Sequence, residues 1–272
     1  MTLLEWFLCF FTYSFMGWVY ESLVCSVDEK KLVNRRFLNG PICPVYGFGA
    51  LVCILFLYQR IENVFVLFLA GIFLTCTVEY ITAVLLEKLF HARWWDYSTY
   101  RFNLHGHVSL LGAIVFGTLS VLLILYIHPP VATLIAQLSD RMQVVLSLIL
   151  LSLVLLDLYV TVRHLLRLNN RLKDIQTAIN FFLSQYTKRV GELKGAVLDK
   201  FEESEFYNDQ IRTLFHLDRI QNTRIIRAFP NMRSFKYNDA FQKLKKLLGF
   251  VKKNNHGLCV IIRERVLLYL MH

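Results

Sequence analysis

Four stretches of this chain, 3–27, 64–86, 105–127 and 142–164, are each long and apolar enough to cross a bilayer as one helix, which takes roughly 20 mostly apolar residues. Their number and spacing leave little room for any other plan. A fifth stretch, 44–58, is shorter, and Pro44, Gly47 and Gly49 interrupt its beginning. It either spans with a non-helical start or is re-entrant. We count it as a span, because broken backbone is tolerated at membrane depth where protein or a wet cavity satisfies its polar groups. The first stretch lacks the basic leader and small-residue cleavage site of a signal peptide, so it is expected to remain as a membrane helix.

Where the charges fall decides the rest of the plan. Of the 30 Lys and Arg in 272 residues, 21 lie from Arg163 onward. Residues 1–164 are therefore expected to form a transmembrane domain and residues 165–272 a basic cytoplasmic helical tail. The first connection carries Lys30, Lys31, Arg35 and Arg36 and the third carries Lys88, Arg93 and Arg101, whereas the second and fourth carry only Arg60 and Arg141. Basic connections stay on the cytoplasmic side. Five spans then put the N-terminus outside and the C-terminus inside, on the side of the tail. The expected fold is all-α: a polytopic membrane helix bundle of about five transmembrane helices, one short or broken, with a helical C-terminal extension.

Beyond His164, apolar residues recur at three- and four-residue spacing through Leu165, Leu168, Leu172, Ile175, Ile179 and Phe182. That period carries the last span into a long amphipathic helix, kinked or folded back as a hairpin. A second tail helix is expected over about 205–229, ended by Pro230, and a third, basic one over 239–251. The run 258–271 contains Arg263, Glu264 and Arg265, so it is too short and too charged to span. The tail reads as a solvated hairpin or a self-association element. Its lysines at 243, 245, 246, 252 and 253 offer the alternative of a docking place for another subunit or for lipid headgroups of the bilayer. Nucleic acid is not an expected partner, since no zinc-finger or RNA-binding motif is present and orientation already accounts for the charge. Six cysteines without a CxxC pair predict neither a disulfide framework nor a metal site, and no cofactor is expected.

Three acids lie inside apolar spans: Glu21 in the first, Glu79 in the third and Asp157 in the fifth, each roughly 10 Å from the cytoplasmic end at 1.5 Å per residue. At that depth an ionisable side chain is costly unless it is paired, neutral or hydrated. Glu21 follows Gly17 and Trp18, and Glu79 shares a face with Thr75, Thr82 and Ala83, so the two are expected to look at each other across a polar pocket. Asp157, a turn or two before Arg163 and His164, reads as a snorkelling or packing acid. The stretch 33–49 closes the pocket on its cytoplasmic side with two arginines, two asparagines, two prolines and three glycines. Asn34 and Arg35 can meet a buried acid or an anionic ligand. Pro41 and Pro44 fix a rigid turn, and Tyr46 precedes Gly47 and Gly49, which let a backbone come close. Trp95, Asp96, Tyr97, Asn103 and His107 join from the third connection. Trp95 and Tyr97 also fit an interfacial aromatic belt, which does not account for Asp96 or Asn103.

Taken in order, Gly17-Trp18 and Glu21, residues 34–41 (NRRFLNGP), residues 43–49 (CPVYGFG), Glu79-Tyr80, Leu86-Glu87 with Phe90, residues 94–98 (WWDYS) and Asn103-Leu104 with Gly106 form a recognisable series. Over roughly 5–125 the chain resembles the bacterial family of putative ABC-transporter type IV membrane proteins. Residues 224–230 (RIIRAFP) resemble the cytoplasmic extension of its longer members, while Arg36 stands where the family commonly has glycine. The resemblance implies a multi-pass, permease-like protein of the bacterial cytoplasmic membrane. No Walker A motif GxxxxGK[ST] occurs in the chain, so an ATP-driven process would need an ATPase or other membrane subunit as partner. No HExxH and no hydrolase Ser–His–Asp order is present either. Three readings of the pocket stand side by side: moving or binding a small, anionic or lipid ligand; processing a lipid, with carboxylate base and arginine headgroup clamp; or sensing and scaffolding through the tail.

Overall fold

The computed structural model describes residues 1–29, 37–190, 224–229 and 231–247. The expectations for Asn34, Arg35, Arg36, most of 205–229, and 258–271 lie outside the described residues. The fold is an all-α membrane helix bundle. Helix α1 spans Leu3–Glu29, α2 Pro44–Leu57 and α3 Val64–Phe90. Strand β1 (Ala92–Arg93) and a hairpin of β2 (Asn103–Leu104) and β3 (Val108–Ser109) follow, then α4 (Leu110–Leu122), a π-helical turn (Leu123–Ile127) and α5 (His128–Ala136). Helix α6 runs over Asp140–Val190, and the tail adds a helical turn at 224–228, strand β4 (Arg233–Ser234) and α7 (Asn238–Leu247).

Local chemistry sets the ends of these helices. Thr2 and Glu5 make a reciprocal capping box at the start of α1, with Thr2 N–H donating to Glu5 Oε2 at 2.7 Å and Glu5 N–H to Thr2 Oγ1 at 3.2 Å. Asn63 caps α3 by accepting from the amides of Phe65 and Val66, and Ser109 caps α4 by accepting from Gly112. The fourth span therefore begins at Leu110 rather than at 105, because His105 and Gly106 take left-handed φ values of 52° and 73° and close the β2–β3 hairpin instead. It also continues past 127. Pro129 and Pro130 have no amide to offer, and the chain absorbs that loss with the π turn, in which His128 N–H reaches back to Leu123 O. Leu110–Ala136 is then one apolar run of 27 residues.

Helix α2 has 14 residues, roughly 21 Å at 1.5 Å each, short of the roughly 30 Å hydrocarbon core. Its start explains the shortfall. The amide of Cys43, just before Pro44, donates to Ser14 O at 2.9 Å, and Ser14 lies near the middle of α1. Residues 37–43 thus run non-helically to the level of the middle of α1, and α2 continues from there antiparallel to α1. Gly17 and Gly47 make this pairing close: a Cβ on Gly17 would strike the Tyr46 side chain, and one on Gly47 would strike Ser14 and Phe10.

Side chains are buried at the two ends of the bundle. At one end Leu8, Tyr13, Leu57, Leu67, Ile124 and Ile135 join α1 to α5. At the other, here the tail end, Trp94, Leu165, Leu168, Ile225, Phe229 and Phe241 join the α3–α4 connection, α6 and the tail. Strand β4 pairs antiparallel with β1, Ala92 opposite Ser234 and Arg93 opposite Arg233. Helix α6 is a single helix of 51 residues, neither broken nor folded back. Only 11% of its most apolar window is buried, and Leu148, Leu153 and Leu156 are about three-fifths exposed. Such a surface suits a lipid solvent.

Candidate functional site

Between α1, α2, α3 and α4 lies a cavity of about 270 Å³. Tyr13, Met16, Gly17 and Tyr20 of α1 face Val45, Tyr46, Gly49, Ala50 and Cys53 of α2 across it, with Thr75 and Glu79 of α3 and Phe116, Leu119 and Ser120 of α4 closing the far wall. The lining is mainly apolar. Two of its hydroxyls are engaged with their own helices: Thr75 Oγ1 donates to Gly71 O at 2.7 Å and Ser120 Oγ to Phe116 O at 2.7 Å. Glu79, only 7% exposed, is the one charged side chain among the described lining residues. Glu21 stands behind the wall, accepting a 2.6 Å hydrogen bond from the Tyr46 hydroxyl. Of the two glutamates expected to share a pocket, Glu79 lines it and Glu21 does not.

At the end of the cavity away from the tail, Tyr13 Oη lies 2.7 Å from Nδ1 of His128, which is fully buried, and the Tyr58 ring meets the imidazole edge-on at 4.5 Å. At its other end is the bend at residues 37–43. Asp157 of α6 holds that bend: Oδ1 accepts from the Asn39 amide at 2.9 Å and from Asn39 Nδ2 at 2.8 Å, and Oδ2 accepts from the Gly40 amide at 2.6 Å. Thr161, one turn further along α6, donates to Asp157 Oδ1 at 3.1 Å. From the tail, Arg224 Nη1 donates to Leu38 O at 2.9 Å. Two elements far apart in sequence therefore grip one short segment. Pro41 is exposed on it, and Pro44 starts α2.

The remaining expected site residues form a second group, in the α3–α4 connection. Asp96 Oδ1 accepts from the Ser98 amide at 3.0 Å and from Arg93 Nη1 at 3.3 Å, and Arg233 Nη1 approaches Asp96 Oδ2 to 3.7 Å. Burial opposes ionisation of this carboxyl, but the Ser98 hydrogen bonds and the two guanidiniums outweigh it and hold Asp96 below the usual carboxylate range. Arg93 Nε also donates to Glu87 Oε1 at 2.7 Å, and His107 Nε2 lies 3.1 Å from the same oxygen. Trp95 Nε1 donates to His107 O at 2.9 Å, Asn103 Oδ1 accepts from the Gly106 amide at 2.8 Å, and the Tyr97 amide donates to Gly106 O at 2.9 Å. Each of these contacts folds the connection.

Of the residues singled out in the sequence, the structure puts Tyr46 and Glu79 on the cavity, Glu21 one hydrogen bond behind it, Pro41 and Pro44 on the approach to it, and Trp95, Asp96, Tyr97, Asn103 and His107 in the neighbouring connection. Tyr13, Cys53, Ser120 and His128 were not singled out; each lies within or beside an apolar run and carries no local signal. Asp157 did carry one, in Thr161 four residues on.

The family profile described as "putative ABC-transporter type IV" matches residues 8–162, which takes in the cavity, the bend and the α3–α4 connection. No curated protein and no solved structure matches the chain.

Proposed function

The chain belongs to the putative ABC-transporter type IV family and is a multi-pass membrane protein; from that premise we propose that it is a permease-like subunit whose α1–α4 cavity binds a small ligand while a separate ATPase supplies the energy. The observation that carries this reading is the cavity at the head of a helix too short to span by itself. Helices that begin at mid-depth need their backbone satisfied by protein, and they make natural walls for a ligand site. In this reading the tail end faces the cytoplasm of a bacterial cell and the N-terminus lies outside, and the charge bias of the connections supports that orientation. Residues 1–164 act in this reading as the membrane domain, and 165–272 as the cytoplasmic tail on which an ATPase docks. Arg224 and the β1–β4 pairing join that tail to both connections on its side, which is what a drive from the cytoplasm requires.

The test uses the full chain reconstituted in proteoliposomes with an ABC-type ATPase of the same cell. ATP-dependent accumulation of solutes is read by mass spectrometry for the wild type and for Gly49→Leu, which places side-chain bulk in the cavity. We expect wild-type vesicles to concentrate at least one solute and Gly49→Leu vesicles not to. Identical solute profiles for the two would remove transport through this cavity.

A further inference from the structure

The lipid-facing side of α3 ends against a residue of the tail. Phe73, Ile81, Leu85 and Leu89 are each more than half exposed and recur at steps of four or eight along that helix, a stripe that suits acyl chains. His91 closes α3, and its carbonyl accepts from the Phe235 amide at 3.0 Å. That bond, next to the β1–β4 pairing, brings Phe235, 58% exposed, and the exposed Lys236 to the point where α3 leaves the membrane, with the exposed Lys88 in the last turn of that helix. Ahead of α4 the same combination recurs: the Arg101 guanidinium lies 5.7 Å from the centroid of the Phe102 ring, and both side chains are exposed.

Each place couples an apolar ring to a cation at the end of a membrane helix. The acids between Leu86 and α4, Glu87 and Asp96, are already engaged with Arg93, and Arg233 also approaches Asp96, so the exposed charge around the two rings is positive. Water suits the cations and not the rings. A bilayer surface suits both, because aromatic rings settle at the boundary of headgroups and acyl chains while cations meet lipid phosphates. The place of Phe235, one hydrogen bond from the end of a lipid-facing helix, favours lipid over an acidic partner protein. We propose that the tail is seated on the bilayer surface through these residues, with Phe235 and Phe102 at the headgroup boundary and Lys88, Lys236 and Arg101 on the phosphates of anionic phospholipid. This seat is independent of what the cavity binds.

The full-length protein carries p-benzoylphenylalanine in place of Phe235 and is reconstituted in nanodiscs of equal parts phosphatidylcholine and phosphatidylglycerol. After irradiation, whatever the side chain has captured is identified by mass spectrometry. We expect phosphatidylglycerol to be captured at least about tenfold over phosphatidylcholine, and that preference to fall about fivefold for each lysine removed in Lys88→Gln and Lys236→Gln. The same photoreactive side chain in place of Thr177, exposed on α6 roughly 20 Å of helix beyond His164, should capture no lipid. The comparison of the two lipids needs no lysine variant, so it stands even if one of those variants fails to fold. Adducts with protein instead of lipid at position 235 would overturn the proposal. So would equal capture of the two lipids, or a preference unchanged in both lysine variants.

Discussion

Asp157 shows what one carboxylate does when its partners are backbone. It accepts from two consecutive amides, those of Asn39 and Gly40, and a bend at membrane depth has no water to replace it. Asp157→Ala strands both donors, and each unsatisfied buried group costs about 1–3 kcal/mol. We expect a fall in stability of roughly 2–4 kcal/mol, read by thermal unfolding in detergent, with faster hydrogen exchange at Asn39 and Gly40. Asp157→Asn should recover part of the loss, since its amide keeps one acceptor oxygen. If Asp157→Ala unfolds like wild type, the bend is held by something else. Asp96 gives a pH test with a definite sign. Its carboxyl is held below the ordinary value of about 3.9, so the folded connection binds fewer protons than the unfolded one. The stability this adds is complete above about pH 4–5 and is lost as the pH falls through the folded value. Hydrogen exchange at Ser98 should therefore accelerate on acidification below about pH 4 in the wild type, and that acid step should vanish in Asp96→Asn.

At the scale of elements, α2 is set by its fit to α1 rather than by its own length. Gly47 and Gly49 lie on the same short helix and are equally poor helix formers, yet their surroundings differ. A Cβ at Gly47 meets the Phe10 ring at 2.8 Å and collides with Ser14 Oγ, whereas one at Gly49 meets only Thr75 Cγ2 at 4.0 Å. Gly47→Ala is expected to destabilise by about 1–3 kcal/mol through overpacking, while Gly49→Ala should be neutral or stabilising by up to about 1 kcal/mol from helix propensity alone. Differential thermal unfolding of the two variants checks the contrast, and equal shifts would mean that α1 and α2 do not meet as closely as described. The same comparison shows why the elements were legible in the sequence and their faces were not. Apolar run length and the Pro44 break are local, so the spans and the short second helix can be read directly. What Gly47 touches depends on residues some 30 positions away. His105 and Gly106 sit in a run apolar enough to pass for helix until their left-handed backbone is known.

For the molecule as a whole, the long-range pairings are the part no local pattern carries. Asp157 meets Asn39 across 118 residues and Arg224 meets Leu38 across 186, and the cavity exists only because four helices bring scattered side chains to one place. Those pairings converge on residues 37–43. From the membrane side Asp157 of α6 fixes Asn39 and Gly40; from the tail Arg224 fixes the carbonyl of Leu38, while the Phe37 ring packs on Trp94, whose ring also meets Phe90 of α3 and Phe229 of the tail. A displacement of the tail is therefore felt first at the bend where α2 begins, and the cavity wall at Tyr46 lies just beyond it. Arg224→Ala removes the polar half of that link and leaves Phe229 against Trp94. We expect amide exchange at Asn39, Gly40 and Ile42 to rise about tenfold, equivalent to roughly 1.4 kcal/mol of local opening. Exchange in the middle of α3 should not change. If α3 accelerates equally, Arg224 supports global folding; if the bend does not accelerate at all, the tail is not coupled to it. An increase confined to 39–42 would establish that the tail is coupled to the head of α2.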